Sequence, residues 1–303
     1  MQAVARRPAG GHPTATIGRV FGDDRLALAA AAHPHIDWLP DPLVLAPLAV
    51  LVAIYVRRFR RARDEEGGRG AGPVQALAFT AGTLALLAAL ATPLDGLGED
   101  YLFSAHMLQH VLLGDLAPVL LLLSLSRVLM RPATRRLMRL ERALGPLATP
   151  WTGIALWLGL MYLWHLPSMY AAALEHPVVH VVEHASFFTA GIAVWWPLVQ
   201  PVPMRRPLRG LWTVAYIGTA KFGLAALGLY LTWSTSVLYD YYEGVPRIWG
   251  LSAVDDQNAG GAIMMVEQSL TFVIALVVLF AKMLTRSEAD EQRRERLEEA
   301  AAP

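Results

Sequence analysis

Apolar residues fall in seven stretches along the chain, each close to the roughly 20 residues that cross a hydrocarbon layer as a helix, with short polar connections between them. They cover residues 40–56, 74–92, 101–125, 150–172, 177–199, 210–233 and 260–283. The first is the shortest, and Ile36 and Trp38 extend it as interfacial residues. The pattern predicts an all-α integral membrane protein. Its seven-helix transmembrane bundle occupies residues 36–284, preceded by a flexible tail at 1–35 and followed by a charged tail at 285–303.

The connections alternate in charge. RRFRRAR (57–63), the span from Arg127 to Arg142, and MRRPLR (204–209) are basic. DGLGED (95–100), Glu175, and the loop 234–259 with Asp240, Glu243, Asp255 and Asp256 are acidic. Basic residues close to membrane ends stay on the cytoplasmic side. Every basic connection falls after an odd-numbered stretch, which places the N-terminus outside and the C-terminus inside.

Composition sharpens this picture. Of 303 residues, 55% are hydrophobic and 17% charged, an apolar excess over what one water-soluble core of this size uses. The net charge of +1 and the scattering of arginines in short clusters exclude a nucleic-acid partner, which needs a concentrated basic face. The chain has no cysteine, so a soft metal must rely on imidazole and thioether. The apolar run LALAAAA (26–32) sits at the short limit for a secretory signal and has a mixed-charge flank.

Against that background the polar residues inside the stretches stand out. HMLQHVLLGDLAPVLLLL (106–123) puts two histidines and an aspartate into a run that otherwise suits lipid. His106 and His110, like His180 and His184, are i, i+4 pairs that share one helix face. Given the alternating directions, both pairs and His165 come to one layer near the outer side. Met264, Met265 and Glu267 begin the last stretch at the same level, and Met161 shares a stripe with His165. A single buried histidine is more often a hydrogen-bonded packing residue than a ligand, and methionine stripes usually fill cores. Five histidines in one membrane layer favour a metal site, because each costs a few kcal/mol in lipid unless it meets a polar interior or a ligand.

Imidazole with thioether suits copper, especially Cu(I), while zinc accepts the imidazoles equally well. The expected ligands are His106, His110, His165, His180 and His184, with Met161, Met264 and Met265 as supports. Glu183, inside HVVEH, is expected either to orient an imidazole or to cap an interhelical hydrogen bond. His33, His35 and His176 rank below these as solvated residues. Deeper down, Asp115 at about 21 Å and Lys221 at about 18 Å from the outer side are expected to form a structural ion pair.

The ordered set HMLQH (106–110), WHLP (164–167), HVVEH (180–184), WWPL (195–198) and DDQNAGGAIM (255–264) resembles the CtaG-like, caa3-type membrane assembly factors of cytochrome c oxidase. The likeness spans about residues 38–284. It implies a multipass bacterial plasma-membrane protein that is no enzyme. Such a protein assists maturation of a haem-copper oxidase subunit by handling copper, with the five histidines matching the family's own. After Met264 the chain departs from the family's pattern of an aromatic residue and a Pro-Gly turn, carrying Met265, Val266, Glu267 and Gln268 instead. Two other chemistries compete. HVVEH has the H-x-x-E-H spacing of inverted zinc peptidases, which makes an intramembrane zinc hydrolase the alternative. Histidines at matched depth on two helices can also hold haem iron.

Overall fold

Five helices start on a proline, where the missing amide costs nothing and the fixed φ suits the first turn: α1 (Pro42–Glu66), α2 (Pro73–Leu90), α7 (Pro150–Trp164), α8 (Pro167–Glu175) and α9 (Pro177–Val199). The rest are α3 (Leu94–Asp100), α4 (Phe103–Val111), α5 (Ala117–Leu123), α6 (Arg127–Leu144), α10 (Leu211–Trp233) and α11 (Ala253–Ala301). This computed structural model describes residues 42–301, and the described residues form no strand. The expected tail at 1–35, with His33 and His35, and the interfacial Ile36 and Trp38 lie outside the described residues.

Among the described residues, six helical stretches are long and apolar enough to cross a membrane: Pro42–Glu66, Pro73–Asp100, Phe103–Leu123, Pro177–Val199, Leu211–Trp233 and Ala253–Val278. The predicted fourth segment, 150–172, is not one helix. It breaks at His165 and Leu166, because the residue before Pro167 is pushed to extended backbone and Leu166 has φ −66° and ψ 131°. Its 15-residue and 9-residue pieces each fall short of a bilayer's thickness on their own. The charged segment after 284 continues α11 as helix to Ala301.

The third predicted segment is α4 and α5 joined by a π turn, Leu112–Leu116. The wider turn inserts extra backbone directly after His110 and turns Asp115 into the protein, where it is buried. Gly191 on α9 crosses here. A Cβ on it would collide with the Gly114 carbonyl, so only glycine lets the two backbones approach this closely. Between lipid-embedded helices such close packing replaces hydrophobic burial as the source of cohesion.

Two apolar clusters flank the crossing. Trp157, Met161, Phe187, Tyr216 and Leu224 join α7, α9 and α10. Tyr55, Phe79, Ala89 and Leu121 join α1, α2 and α5, with the Tyr55 and Phe79 rings stacked at 3.6 Å. The basic connections meet at one end of the bundle. There Arg58 donates to the carbonyls of Val128 (2.6 Å) and Leu129 (3.0 Å), Arg131 pairs with Glu66, and the Arg205 amide donates to Glu141 (2.7 Å). The histidines gather at the other.

Candidate metal centre

The start of α4 determines where the first histidine pair points. Its first amides have no helical partner, and Asp256 from α11 supplies one: Oδ2 accepts from Phe103 N at 2.8 Å and Oδ1 from Ser104 N at 3.0 Å. Asp256 is fully buried and also accepts from the Ser104 hydroxyl at 2.5 Å. Gln109 donates to the Ala89 carbonyl at 2.9 Å and to Asp95, which ties α4 to α2 and α3. With the helix held at both points, His106 and His110 face the first turns of α9.

Donor atoms of His106, His110, His180, Glu183 and His184 all lie within 4.8 Å of one another. His106 Nε2 is 2.7 Å from His110 Nε2, and His110 Nε2 is 3.8 Å from Glu183 Oε1. Ligands sharing one ion at 2.0–2.2 Å stand roughly 3–4.5 Å apart, so the set is at the scale of a single coordination sphere.

Neighbours orient the rings. Burial holds the Tyr242 phenol well above its usual pKa, so its hydroxyl keeps its proton and donates it to the Gly98 carbonyl at 2.6 Å. The same oxygen then accepts from His106 Nδ1 at 3.3 Å, which makes Nε2 of a neutral ring the acceptor that faces His110 Nε2. His180 Nδ1 pairs with Glu99 Oε1 at 2.7 Å, and its Nε2 has no protein partner. This carboxylate–imidazole arrangement is the one that metal-bound histidines use.

The donors are starved of partners. Among the described residues, His110 Nδ1, His180 Nε2, His184 Nε2 and both oxygens of Glu183 are buried without a hydrogen bond. A buried carboxylate without a hydrogen bond is costly, and a cation bound at the cluster would satisfy Glu183 together with Nε2 of His180 and of His184. Four imidazoles and one carboxylate form a borderline donor set suited to Cu(II) or Zn(II). Access is roofed by the loop between α10 and α11. Tyr239 stacks on Phe103 with ring centroids 5.0 Å apart and lies tilted against Tyr170 at 4.3 Å, and Gln257 holds the loop through Leu238 N (2.8 Å) and the Ser236 carbonyl (3.2 Å).

A profile of the cytochrome c oxidase caa3 assembly factor family matches residues 53–286. The chain belongs to this family. Among curated proteins, an uncharacterized protein of Mycobacterium leprae is 26% identical over 270 residues, covering 81% of this chain and 39% of its own length. Uncharacterized proteins of Mycobacterium bovis and Mycobacterium tuberculosis are each 24% identical over 278 residues, covering 86% of the chain and 41% of theirs. The chain thus spans about two-fifths of the length of these relatives. No solved structure matches.

In this caa3 assembly factor family member several expected site residues stand elsewhere. His165 is outside the cluster. As the last residue before the break, it turns its Nδ1 onto the Met161 carbonyl at 2.7 Å. Met265 serves the α10–α11 contact, where Thr232 donates to its sulfur at 3.8 Å. His176 caps α9 in an exposed position. Glu183 is the reverse case, lying among the donor atoms themselves.

The expected Asp115–Lys221 ion pair is not made among the described residues. Asp115 accepts instead from Trp195 Nε1 and from Gln268 Nε2 (3.0 Å), and Lys221 Nζ is left without a hydrogen bond. Depth along an axis brings two residues to one level and leaves their direction around the helix open; the π turn rotates Asp115 toward α9 and α11. Gln268 lies where the chain departs from the family resemblance, so that departure carries a polar contact to mid-membrane. Glu99, Asp256, Tyr242 and Gln109 support the centre and were not singled out in the sequence. Glu99 and Asp256 fall within the acidic connection 95–100 and DDQNAGGAIM and Gln109 within HMLQH, whereas Tyr242 belongs to no motif.

Proposed function

We propose that the protein is a bacterial plasma-membrane factor that binds copper at the His106–His110–His180–Glu183–His184 centre and assists its insertion into a haem-copper oxidase subunit. Copper is cargo here. The observation that carries the proposal is the convergence of two i, i+4 histidine pairs and a buried, unpaired carboxylate in a member of an oxidase assembly family.

In this reading α7 and α8 together make a broken fourth crossing, which gives seven. The basic end is cytoplasmic, so the N-terminus and the centre are extracytoplasmic and the C-terminus is inside. Copper then arrives and leaves on the side where the tyrosine-roofed loop lies. Five donors exceed what an exchangeable copper ion needs, so an incoming partner can replace them one at a time.

The role is non-catalytic. In a hydrolase the glutamate of HVVEH acts as general base on a metal-bound water. Glu183 sits instead within the donor set, which disfavours the zinc hydrolase. The test is metal analysis of the purified chain beside a variant with His106, His110, His180 and His184 all changed to alanine, together with oxidase copper content in a host that depends on each. Copper retained equally by both proteins overturns the proposal.

A further inference from the structure

Below the centre, on the side of α4 facing α7 and α11, a small cavity of about 20 Å³ is lined by His110, His165, Met107, Met161 and Met264, with Asp115 at its wall. That volume holds one water or one ion. Its donors differ in kind from those above. Three of the chain's methionines line it, and none of the three is more than 5% exposed.

His165 is the second observation. Its Nδ1 lies 2.7 Å from the Met161 carbonyl, a pure acceptor, so Nδ1 carries the ring proton and Nε2 presents a lone pair. That Nε2 is buried and has no partner in the protein. Nothing else among the described residues uses it. A neutral imidazole nitrogen beside thioethers, with a carboxylate nearby to offset charge, is a donor set for a soft monovalent d¹⁰ cation and a poor one for Zn(II).

We propose that this cavity is a second metal site, specific for a soft monovalent cation such as Cu(I) and separate from the histidine–glutamate centre. It deepens the copper-handling function by assigning the reduced ion its own station, and His110, which lines this cavity and also belongs to the upper cluster, joins the two.

Ag(I) and Zn(II) uptake by the purified full chain in detergent tests it, with X-ray absorption reading the ligands of bound silver. The parent is expected to bind two Ag(I), one of them with sulfur neighbours, and one Zn(II). M161L/M264L conserves volume and so keeps the fold; it is expected to lose the sulfur signal and one Ag(I) while binding Zn(II) unchanged. H165Q is expected to weaken the same Ag(I) at least tenfold. H106A/H180A/H184A should do the opposite, losing Zn(II) and keeping sulfur-bound silver. Silver without sulfur neighbours in the parent, or full Ag(I) uptake by M161L/M264L, overturns the second site and leaves the upper centre standing. Sulfur-bound silver in a parent that takes up no Zn(II) or copper at the upper centre supports the second site and overturns the proposed centre.

Discussion

Glu99 Oε1 lies 2.7 Å from His180 Nδ1 and thereby decides which nitrogen of that ring is offered to the cluster. Glu99 is 40% exposed, so the contact adds little to stability, yet it fixes ring orientation and raises ligand basicity. Glu99→Ala is therefore expected to weaken Zn(II) or copper binding about tenfold to a hundredfold with an unchanged melting temperature. A competition titration against a chelator of known affinity reads the effect. Parent-like affinity in Glu99→Ala would show that the carboxylate orients nothing.

Gly98 faces the backbone of His106. A Cβ on Gly98 would stand 2.9 Å from His106 Cα, and backbone cannot swing aside as a flexible side chain does. The same residue's carbonyl receives the Tyr242 proton. Gly98→Ala should destabilise the chain by roughly 1–3 kcal/mol and push His106 out of register with His110. Thermal unfolding in detergent and metal content are both expected to fall; a normal melting curve with full metal content contradicts the close approach.

Asp115 and Lys221 separate clearly by variant. Asp115 satisfies two buried donors, Trp195 Nε1 and Gln268 Nε2, and stranding a buried donor costs about 1–3 kcal/mol. Lys221 makes no hydrogen bond. Asp115→Leu should therefore lower stability by a few kcal/mol, with Asp115→Asn in between, while Lys221→Met should change it far less. Equal losses in Asp115→Leu and Lys221→Met would restore the direct ion pair that the geometry lacks.

The parts of this site legible in the sequence are those set by helical periodicity. An i, i+4 histidine pair shares a face whatever the tertiary structure, so His106 with His110 and His180 with His184 were readable, as was their common layer. What periodicity cannot carry was lost. His165 falls out of phase because its helix ends one residue before it, at Trp164, with Pro167 two residues beyond it. Asp115 was turned by a π bulge that no residue pattern announces. The sequence offers Glu183 only as a support that orients an imidazole, whereas α4 approaches closely enough to bring it among the donors. The supports from Glu99 and Tyr242 come from short helices and that from Asp256 from the first turn of α11, and a contact across 153 residues, as between Asp256 and Phe103, leaves no local signature.

Asp256 gives the most demanding test of how the centre is built. It is fully buried, and its two oxygens take the first two amides of α4 and the Ser104 hydroxyl. Removing a capping side chain costs about 0.5–2 kcal/mol where water can replace it; here the Phe103 amide is buried and the Ser104 amide partly so, and the upper end of that range applies. The cap also couples α11 to the face that bears His106 and His110, one and two turns into α4. Asp256→Ala is thus expected to lower both the melting temperature and metal affinity, whereas Asp256→Asn, which keeps an acceptor oxygen, should recover most of the stability. Added metal should raise the melting temperature of Asp256→Ala less than that of the parent, because stabilisation by a ligand scales with its affinity for the folded state. If metal protects both proteins equally, α4 is held by its packing alone, and Asp256 has no part in positioning the histidines.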